Sequence, residues 1–186
     1  PYHIDFKDYQ LMLINTNVKH NLADSAYNNR RSVCEHVSKL LGVKALRDAT
    51  ENDLETIKDQ VSAEDYQKAL YIIQENDRAV QASKAMEEGD LVKLGQLIYG
   101  SHSGLQHQFK VSCEELDFLV EQAKENSDVL GARMMGGGFG GCTINLVSKR
   151  AADSFAENAS KAYKKTFNKD CSVYTVELSD GTHVIN

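Results

Sequence analysis

The chain has 186 residues, 41% of them hydrophobic, and a net charge of −6, which suits one domain with an ordinary core or a large part of a two-domain protein. The acidic balance and the lack of any run of Lys or Arg argue against nucleic acid or an anionic membrane as partners, and no apolar stretch approaches the length of a membrane span. Four widely spaced cysteines without a Cys-x-x-Cys pair indicate reduced thiols, so we expect a cytoplasmic protein without a zinc site.

The N-terminal part of the chain predicts two strands. Residues 2–6 alternate apolar and polar side chains, as a half-buried strand does. Residues 11–17 are apolar on both faces, which is typical of a strand covered on both sides or at the centre of a sheet. Lys7 and Asp8 lie between them and can form a turn, although they are not a favoured hairpin pair.

The pattern then changes to helical spacing. From Asp24 to Leu41 apolar residues recur at helical intervals, and Gly42 stands where a C-terminal cap belongs. The middle of the chain predicts about five helices in all, one of them over 63–88 and the next beginning at Asp90. The N-terminal capping pairs of three of these helices are Thr50 with Asp53, Ser62 with Asp65, and Ser112 with Glu115.

The C-terminal part returns to mixed structure. "GARMM" (131–135) and "CTINLV" (142–147) predict two strands, an apolar stripe over 152–167 predicts a helix, and 171–178 predicts a last strand. The resulting order of strand, helices, strand, strand, helix, strand is that of the split βαββαβ unit. We therefore predict an α+β fold with a ferredoxin-like split βαββαβ sheet and several additional helices inserted after the first strand.

Five of the six residues from Gly136 to Gly141 are glycine. The stretch matches G-x-G-x-x-G, but a strand follows it where a dinucleotide-binding motif requires a helix, and it lacks the Gly-Lys-Ser/Thr ending of a P-loop. One interpretation is a glycine hairpin between two strands. The other is a backbone without side chains that lets a second element, or a phosphate, come very close.

Several segments together carry a family resemblance. "GARMMGGGFGGCTINLV" resembles the third signature motif of the GHMP small-molecule kinases in its galactokinase form, and "NTNVKHNLADSAYNNRRSVCE" resembles a second galactokinase segment with a Ser-x-Tyr-Asn-x-Arg-Arg core. "ALRDAT" and "SCEELDFLVEQA" follow in the family's order. The similarity extends over nearly the whole chain, so residues 1–186 are expected to form a GHMP kinase C-terminal domain.

The resemblance implies a reaction that this chain performs only in part. Galactokinases transfer the γ-phosphate of ATP to the C1 hydroxyl of galactose with Mg²⁺, and the family's first motif and its proline-initiated phosphate loop are absent here. We therefore expect the N-terminal ATP-binding domain, with the family's catalytic residues, to be a missing partner. No catalytic residue and no metal ligand is assigned to this chain. We expect the isolated chain to be inactive, to bind no cofactor tightly, and either to self-associate through the strand at 2–6 or to have a disordered edge there.

The resemblance also assigns roles to individual residues. Tyr27 corresponds to the tyrosine that contacts galactose, where a phenol can hydrogen-bond a sugar hydroxyl. Lys19 corresponds to a basic residue near the nucleotide. Met135 stands where galactokinases commonly carry Thr. The glycines expected to form the nucleotide and phosphate site are Gly136, Gly137, Gly138, Gly140 and Gly141.

Three other functions fit the same residues. The parent protein could phosphorylate a related sugar such as N-acetylgalactosamine or arabinose. It could be a galactose-sensing regulator without turnover. The chain could also act alone as a ligand-binding or structural module of ferredoxin-like type.

Overall fold

From residue 9 onwards, the strands and helices of the described part of the chain follow one another in the predicted order. The structure is a computed structural model that describes residues 5–18 and 23–178, without the side chains of residues 23–27. The strands are β1 Tyr9–Asn15, β2 Val129–Met134, β3 Cys142–Ser148 and β4 Ser172–Val176. The helices are α1 Ala23–Leu41, α2 Glu51–Glu55, α3 Ala63–Glu88, α4 Leu91–His107, α5 Glu114–Lys124 and α6 Ala152–Phe167.

The four strands form one sheet in the order β2-β3-β1-β4, and every neighbouring pair is antiparallel. Consequently β1 and β2 run parallel with β3 inserted between them, and β3 and β4 run parallel with β1 between them. This is the split arrangement of the ferredoxin-like unit. Helices α1 to α5 all lie between β1 and β2 in the chain. The predicted fold class is thus confirmed.

The sheet is packed more tightly on one face than on the other. Met12 and Ile14 of β1 point to the face covered by α5 and α6, where they are almost fully buried with Phe155 and Tyr163. Leu11 points to the opposite face, towards the start of α4, and is only partly buried. The sequence predicts this strand as covered on both sides or at the centre of a sheet. It is an interior strand, between β3 and β4, and it is fully covered on one face and partly covered on the other.

The prediction of a first strand at 2–6 is wrong for residues 5 and 6, the part of it that the structure describes. Asp5 and Phe6 lie outside any strand, because Oδ1 of Asp5 accepts from the backbone N–H of Lys7 at 2.8 Å and the chain turns there. The predicted turn at Lys7 and Asp8 is present, with the N–H of Tyr9 donating to the carbonyl of Phe6 at 2.8 Å. Residues 2–4 lie outside the described residues, so self-association through this strand stays a prediction.

Most of the predicted helix ends are confirmed. Thr50 and Asp53 form a reciprocal capping box at α2, the hydroxyl of Ser62 caps α3, and Gly89 ends α3 in the left-handed conformation. These ends are local features, which explains why a local pattern predicts them.

The predicted capping box of Ser112 with Glu115 is wrong. The N-cap of α5 is Cys113, which makes no side-chain capping hydrogen bond. The hydroxyl of Ser112 donates instead to Oδ1 of Asp117 at 2.5 Å. Asp117 is a half-buried acid that faces His102. Its carboxylate accepts the hydroxyl of Ser112, which is therefore not available to cap the helix.

No helix in the described ranges is both long and apolar enough to cross a membrane.

Candidate functional site

The glycine-rich stretch connects β2 to β3 as a loop over 135–141. The N–H of Met135 donates to the carbonyl of Cys142 at 2.9 Å and closes the base of the hairpin. A strand follows the loop, as the sequence predicts, so the context is that of a hairpin and not of a dinucleotide-binding turn. The loop nevertheless differs from a simple turn, because its glycines have two different surroundings.

Two inner glycines are required by packing within the domain. Gly138 and Gly140 are buried, and both have positive φ, +85° and +135°. A β-carbon on Gly138 would lie 2.0 Å from the carbonyl oxygen of Val111, and one on Gly140 would lie 2.9 Å from the carbonyl oxygen of Val18. The loop backbone therefore rests directly on the backbone of two other segments, which no residue with a side chain permits.

Two outer glycines face open space. Gly136 and Gly137 are exposed, and a β-carbon on either would meet nothing within 4 Å. Gly136 has a φ of +80°, which favours glycine, but Gly137 lies outside the left-handed region. Neither steric contact nor backbone conformation in the described part of the chain explains a glycine at position 137. The preceding Met135 is also exposed.

The C-terminal end of the loop is fixed by Thr16, the residue that directly follows β1. Thr16 is fully buried, and both its N–H and its hydroxyl donate to the carbonyl of Gly141 at 2.9 Å. The carbonyl of Thr16 in turn accepts from the hydroxyl of Tyr163 at 2.8 Å in the core. In the middle of the loop, the N–H of Phe139 donates to the carbonyl of Val111 at 2.8 Å. The inner half of the loop is thus held by several backbone contacts, while its outer half is presented outward.

A buried histidine supports the strand that leads into the loop. His102 of α4 is 1% exposed, and its Nδ1 accepts from the N–H of Met134, the last residue of β2, at 3.2 Å. Its Nε2 lies 3.3 Å from Oδ1 of Asp117 on α5. Since Nδ1 accepts a hydrogen bond, the ring proton of a neutral imidazole is on Nε2 and faces the carboxylate. Only the spacing of His102 within the predicted helix could have suggested a buried position from the sequence.

The acid in this pair is held in its charged form. Burial by itself would raise the pKa of Asp117, but the Nε2–H of His102 and the hydroxyl of Ser112, which both face the carboxylate, lower the pKa below its ordinary value. Asp117 therefore stays ionised at neutral pH and faces the ring of His102.

The surroundings of the two other predicted site residues, Tyr27 and Lys19, are not described by the structure. Tyr27 lies within α1, but its side chain is outside the described residues. Lys19 also lies outside the described residues. The contacts of Tyr27 with a sugar and of Lys19 with a nucleotide stay predictions.

The described residues contain no cluster of potential metal ligands. Within 5–18 and 23–178 no group of three or more His, Cys, Asp or Glu side chains is arranged to hold a metal ion.

Comparison with known proteins finds a family match for part of the chain and similar proteins for nearly all of it. Residues 82–165, from the end of α3 to α6, match the family described as GHMP kinases C terminal. The chain is 41% identical over 177 residues to a galactokinase of Thermotoga petrophila, across 95% of this chain and 49% of that protein. It is 41% identical over 182 residues to a galactokinase of Clostridium beijerinckii, across 95% of this chain and 47% of that protein. The chain thus spans about half the length of the curated relatives it matches.

Solved structures show the same similarity. The galactokinase of Lactococcus lactis complexed with galactose superposes with a TM-score of 0.89 at 30% identity, over 96% of this chain and 47% of that one. The mevalonate kinase of L. major in complex with R-mevalonate superposes with a TM-score of 0.61 at 23% identity, which supports the fold alone. Residues 82–165 thus match the GHMP kinase C-terminal family, and the chain as a whole is similar to about half the length of galactokinases.

Proposed function

We propose that the chain is the C-terminal half of a galactokinase, an ATP-dependent kinase that forms galactose 1-phosphate. The similarity to galactokinases extends over nearly all of the chain and includes the glycine loop. The observation that carries the proposal is the outward-facing part of this loop at Gly136 and Gly137. Within the described domain no steric contact requires a glycine at position 137. The open backbone therefore serves a group that approaches from outside the domain.

Phosphoryl transfer explains why such a backbone is useful. The reaction depends on alignment and on neutralisation of charge rather than on covalent chemistry by the protein. A loop without side chains lets a phosphate, or the loop that binds it, come into contact with the backbone. Gly136 and Gly137 form the approachable surface, whereas Gly138, Gly140 and Gly141 fix the loop to the domain. The role of this loop is one of shape, and no proton transfer is assigned to it.

Helix α1 supplies the sugar-binding side of the proposed site. Tyr27 would offer its hydroxyl to a hydroxyl group of galactose and its ring to an apolar edge of the sugar. ATP, Mg²⁺ and the catalytic acid–base groups would be held mainly by an N-terminal domain. The isolated chain would then be inactive, and the full-length protein would work in the cytoplasm.

A turnover assay on the full-length protein tests this function. ADP release is measured with ATP and Mg²⁺ and with galactose, arabinose or N-acetylgalactosamine as the acceptor. We expect galactose to give the highest kcat/KM, and the isolated chain to give no turnover above background. Preference for another sugar would indicate a related sugar kinase. Binding of galactose without turnover would indicate a regulator, and either result would overturn the proposal.

A further inference from the structure

The two arginines that follow the predicted sugar-binding tyrosine have different surroundings. Arg31 is largely exposed and pairs with Glu35, one turn further along α1, at 2.8 Å. Arg30 points away from that surface and reaches the segment that follows α4. The family resemblance includes both arginines.

Arg30 binds two successive backbone carbonyls. Its Nε donates to the carbonyl of Phe109 at 2.9 Å, and its Nη2 donates to the carbonyl of Lys110 at 2.7 Å. A guanidinium presents its donors in a rigid, planar fork, so one side chain can satisfy two neighbouring acceptors. Both carbonyls follow directly after the C-terminal end of α4, where a positive charge is favourable.

The segment that Arg30 binds is a tight turn. The N–H of Phe109 donates to the carbonyl of Gly104 at 2.9 Å, and the N–H of Val111 donates to the carbonyl of Leu105 at 3.0 Å. Lys110 between them has a φ of +53°, which is unusual for a residue with a side chain. The carbonyls of Phe109 and Lys110 are therefore turned away from α4 and need a partner outside the helix.

The third carbonyl of the same turn holds the glycine loop. The carbonyl of Val111 accepts the N–H of Phe139 at 2.8 Å, and it is also the atom that excludes a β-carbon at Gly138. Three consecutive carbonyls, at 109, 110 and 111, thus join α1 on one side to the glycine loop on the other. Arg30 and Phe139 are separated by only this turn.

We propose that Arg30 is a positioning residue that sets the glycine loop relative to the N-terminal half of α1. This inference rests on the proposed kinase function, because it connects the helix of the predicted sugar contact Tyr27 with the proposed phosphate surface at Gly136 and Gly137. Tyr27 and Arg30 are three residues apart on one helix, so they lie on neighbouring turns. Arg30 thereby fixes the distance between the sugar hydroxyl and the phosphate that it attacks.

Helix α1 has other anchors, so removal of Arg30 should leave the fold intact. Val33 and Val37 are buried against α3 and its neighbours. Nζ of the buried Lys68 on α3 lies 3.3 Å from Oδ1 of Asn29, and Lys68 also pairs with acids of its own helix. An Arg30→Met variant keeps most of the aliphatic stem and loses the fork, and Arg31→Met is its matched control on the same helix.

The first experiment measures amide hydrogen exchange in the chain itself. In Arg30→Met we expect the amide of Phe139 to exchange about tenfold faster, while the amide of Thr16, which binds the other end of the loop, stays within about twofold. Arg31→Met should change neither amide. An unchanged Phe139 amide, or an equal acceleration at every amide, would overturn the positioning role. If Arg30→Met does not fold, Arg30→Lys, which keeps the charge without the fork, is measured in the same way.

The second experiment measures steady-state kinetics of the full-length protein. In Arg30→Met we expect kcat to fall about ten- to a hundredfold, with KM for galactose and for ATP within about twofold. Arg31→Met should match the unmodified protein. Unchanged kcat in a folded Arg30→Met protein would overturn the inference. If the unmodified full-length protein shows no sugar kinase activity, the proposed function fails, whereas the exchange experiment still decides whether Arg30 fixes the loop.

Discussion

A β-carbon on Gly138 would stand 2.0 Å from the carbonyl oxygen of Val111. No rotation of a side chain can relieve this contact, because the obstructing atom belongs to the backbone of a tight turn and also accepts the N–H of Phe139. The φ of +85° at Gly138 adds strain for any other residue. The centre of the glycine loop is therefore fixed by packing inside the domain.

Gly138→Ala should accordingly destabilise the fold. The left-handed conformation and the backbone contact together should lower the free energy of unfolding by about 2–4 kcal/mol. Urea unfolding followed by circular dichroism measures the change. A Gly138→Ala chain with the stability of the unmodified chain would contradict the packing around Val111.

Local features of the fold could be predicted from the sequence. The capping box of Thr50 with Asp53 and the helix end at Gly89 need only neighbouring residues, and both are present. The split sheet followed from the order of elements. The predicted strand at 2–6 was wrong where it can be tested because Asp5 and Lys7 form a local turn that alternation does not reveal.

Features of the site that depend on distant contacts could not be predicted. The sequence contains five similar glycines, but only the contacts with Val18 and Val111 separate the inner from the outer ones. Arg30 binds carbonyls 79 and 80 residues away. Backbone carbonyls carry no sequence signal, so no pattern of residue types could have identified this target.

Tyr163→Phe should test the support beneath the loop. The hydroxyl of Tyr163 donates to the buried carbonyl of Thr16 at 2.8 Å, and its removal leaves that carbonyl without this donor. We expect the free energy of unfolding to fall by about 1–3 kcal/mol. Tyr174→Phe, at a half-exposed tyrosine of β4, is the matched control and should change stability by less than about 0.5 kcal/mol. Equal effects of the two substitutions would show that the buried hydroxyl contributes nothing of its own.

Asp117→Asn should make the stability less dependent on acid pH. The pKa of Asp117 is lower in the folded chain than in the unfolded chain, so the unfolded state takes up the proton first as the pH falls. The stabilisation is complete above about pH 4, the ordinary range of the carboxyl, and is lost as the pH falls through the lower folded pKa. Urea unfolding at a series of acid pH values should show a shallower decline in Asp117→Asn. Glu87→Gln, at an exposed position, should leave the decline unchanged, and a similar result from both would contradict a special role of the His102 contact.

Tyr27→Phe in the full-length protein should weaken sugar binding. The substitution removes one hydroxyl and keeps the ring, so kcat/KM for galactose should fall by the equivalent of about 0.5–1.5 kcal/mol. KM for ATP and the melting temperature should stay unchanged. Unchanged sugar kinetics together with a lower melting temperature would place Tyr27 in the core and not in the sugar pocket.

Gly137→Ala is the sharpest test of the link between the loop and phosphoryl transfer. Position 137 is exposed, has no atom within 4 Å of a β-carbon and lies outside the left-handed region, so alanine should leave the stability of the chain within about 0.5 kcal/mol. If a phosphate or a phosphate-binding loop rests on this backbone in the full-length protein, the added methyl group stands in its way. We then expect kcat/KM for ATP to fall more than about tenfold, which corresponds to about 1.4 kcal/mol of lost transition-state stabilisation. Gly42→Ala is the converse control, because Gly42 has a φ of +69° at the end of α1 but also faces open space. The Gly42→Ala substitution should lower the free energy of unfolding by about 1 kcal/mol and leave the kinetics unchanged.

Normal kinetics in a folded Gly137→Ala protein would mean that the outer glycines meet no substrate or partner, and the loop would then serve only as a hairpin.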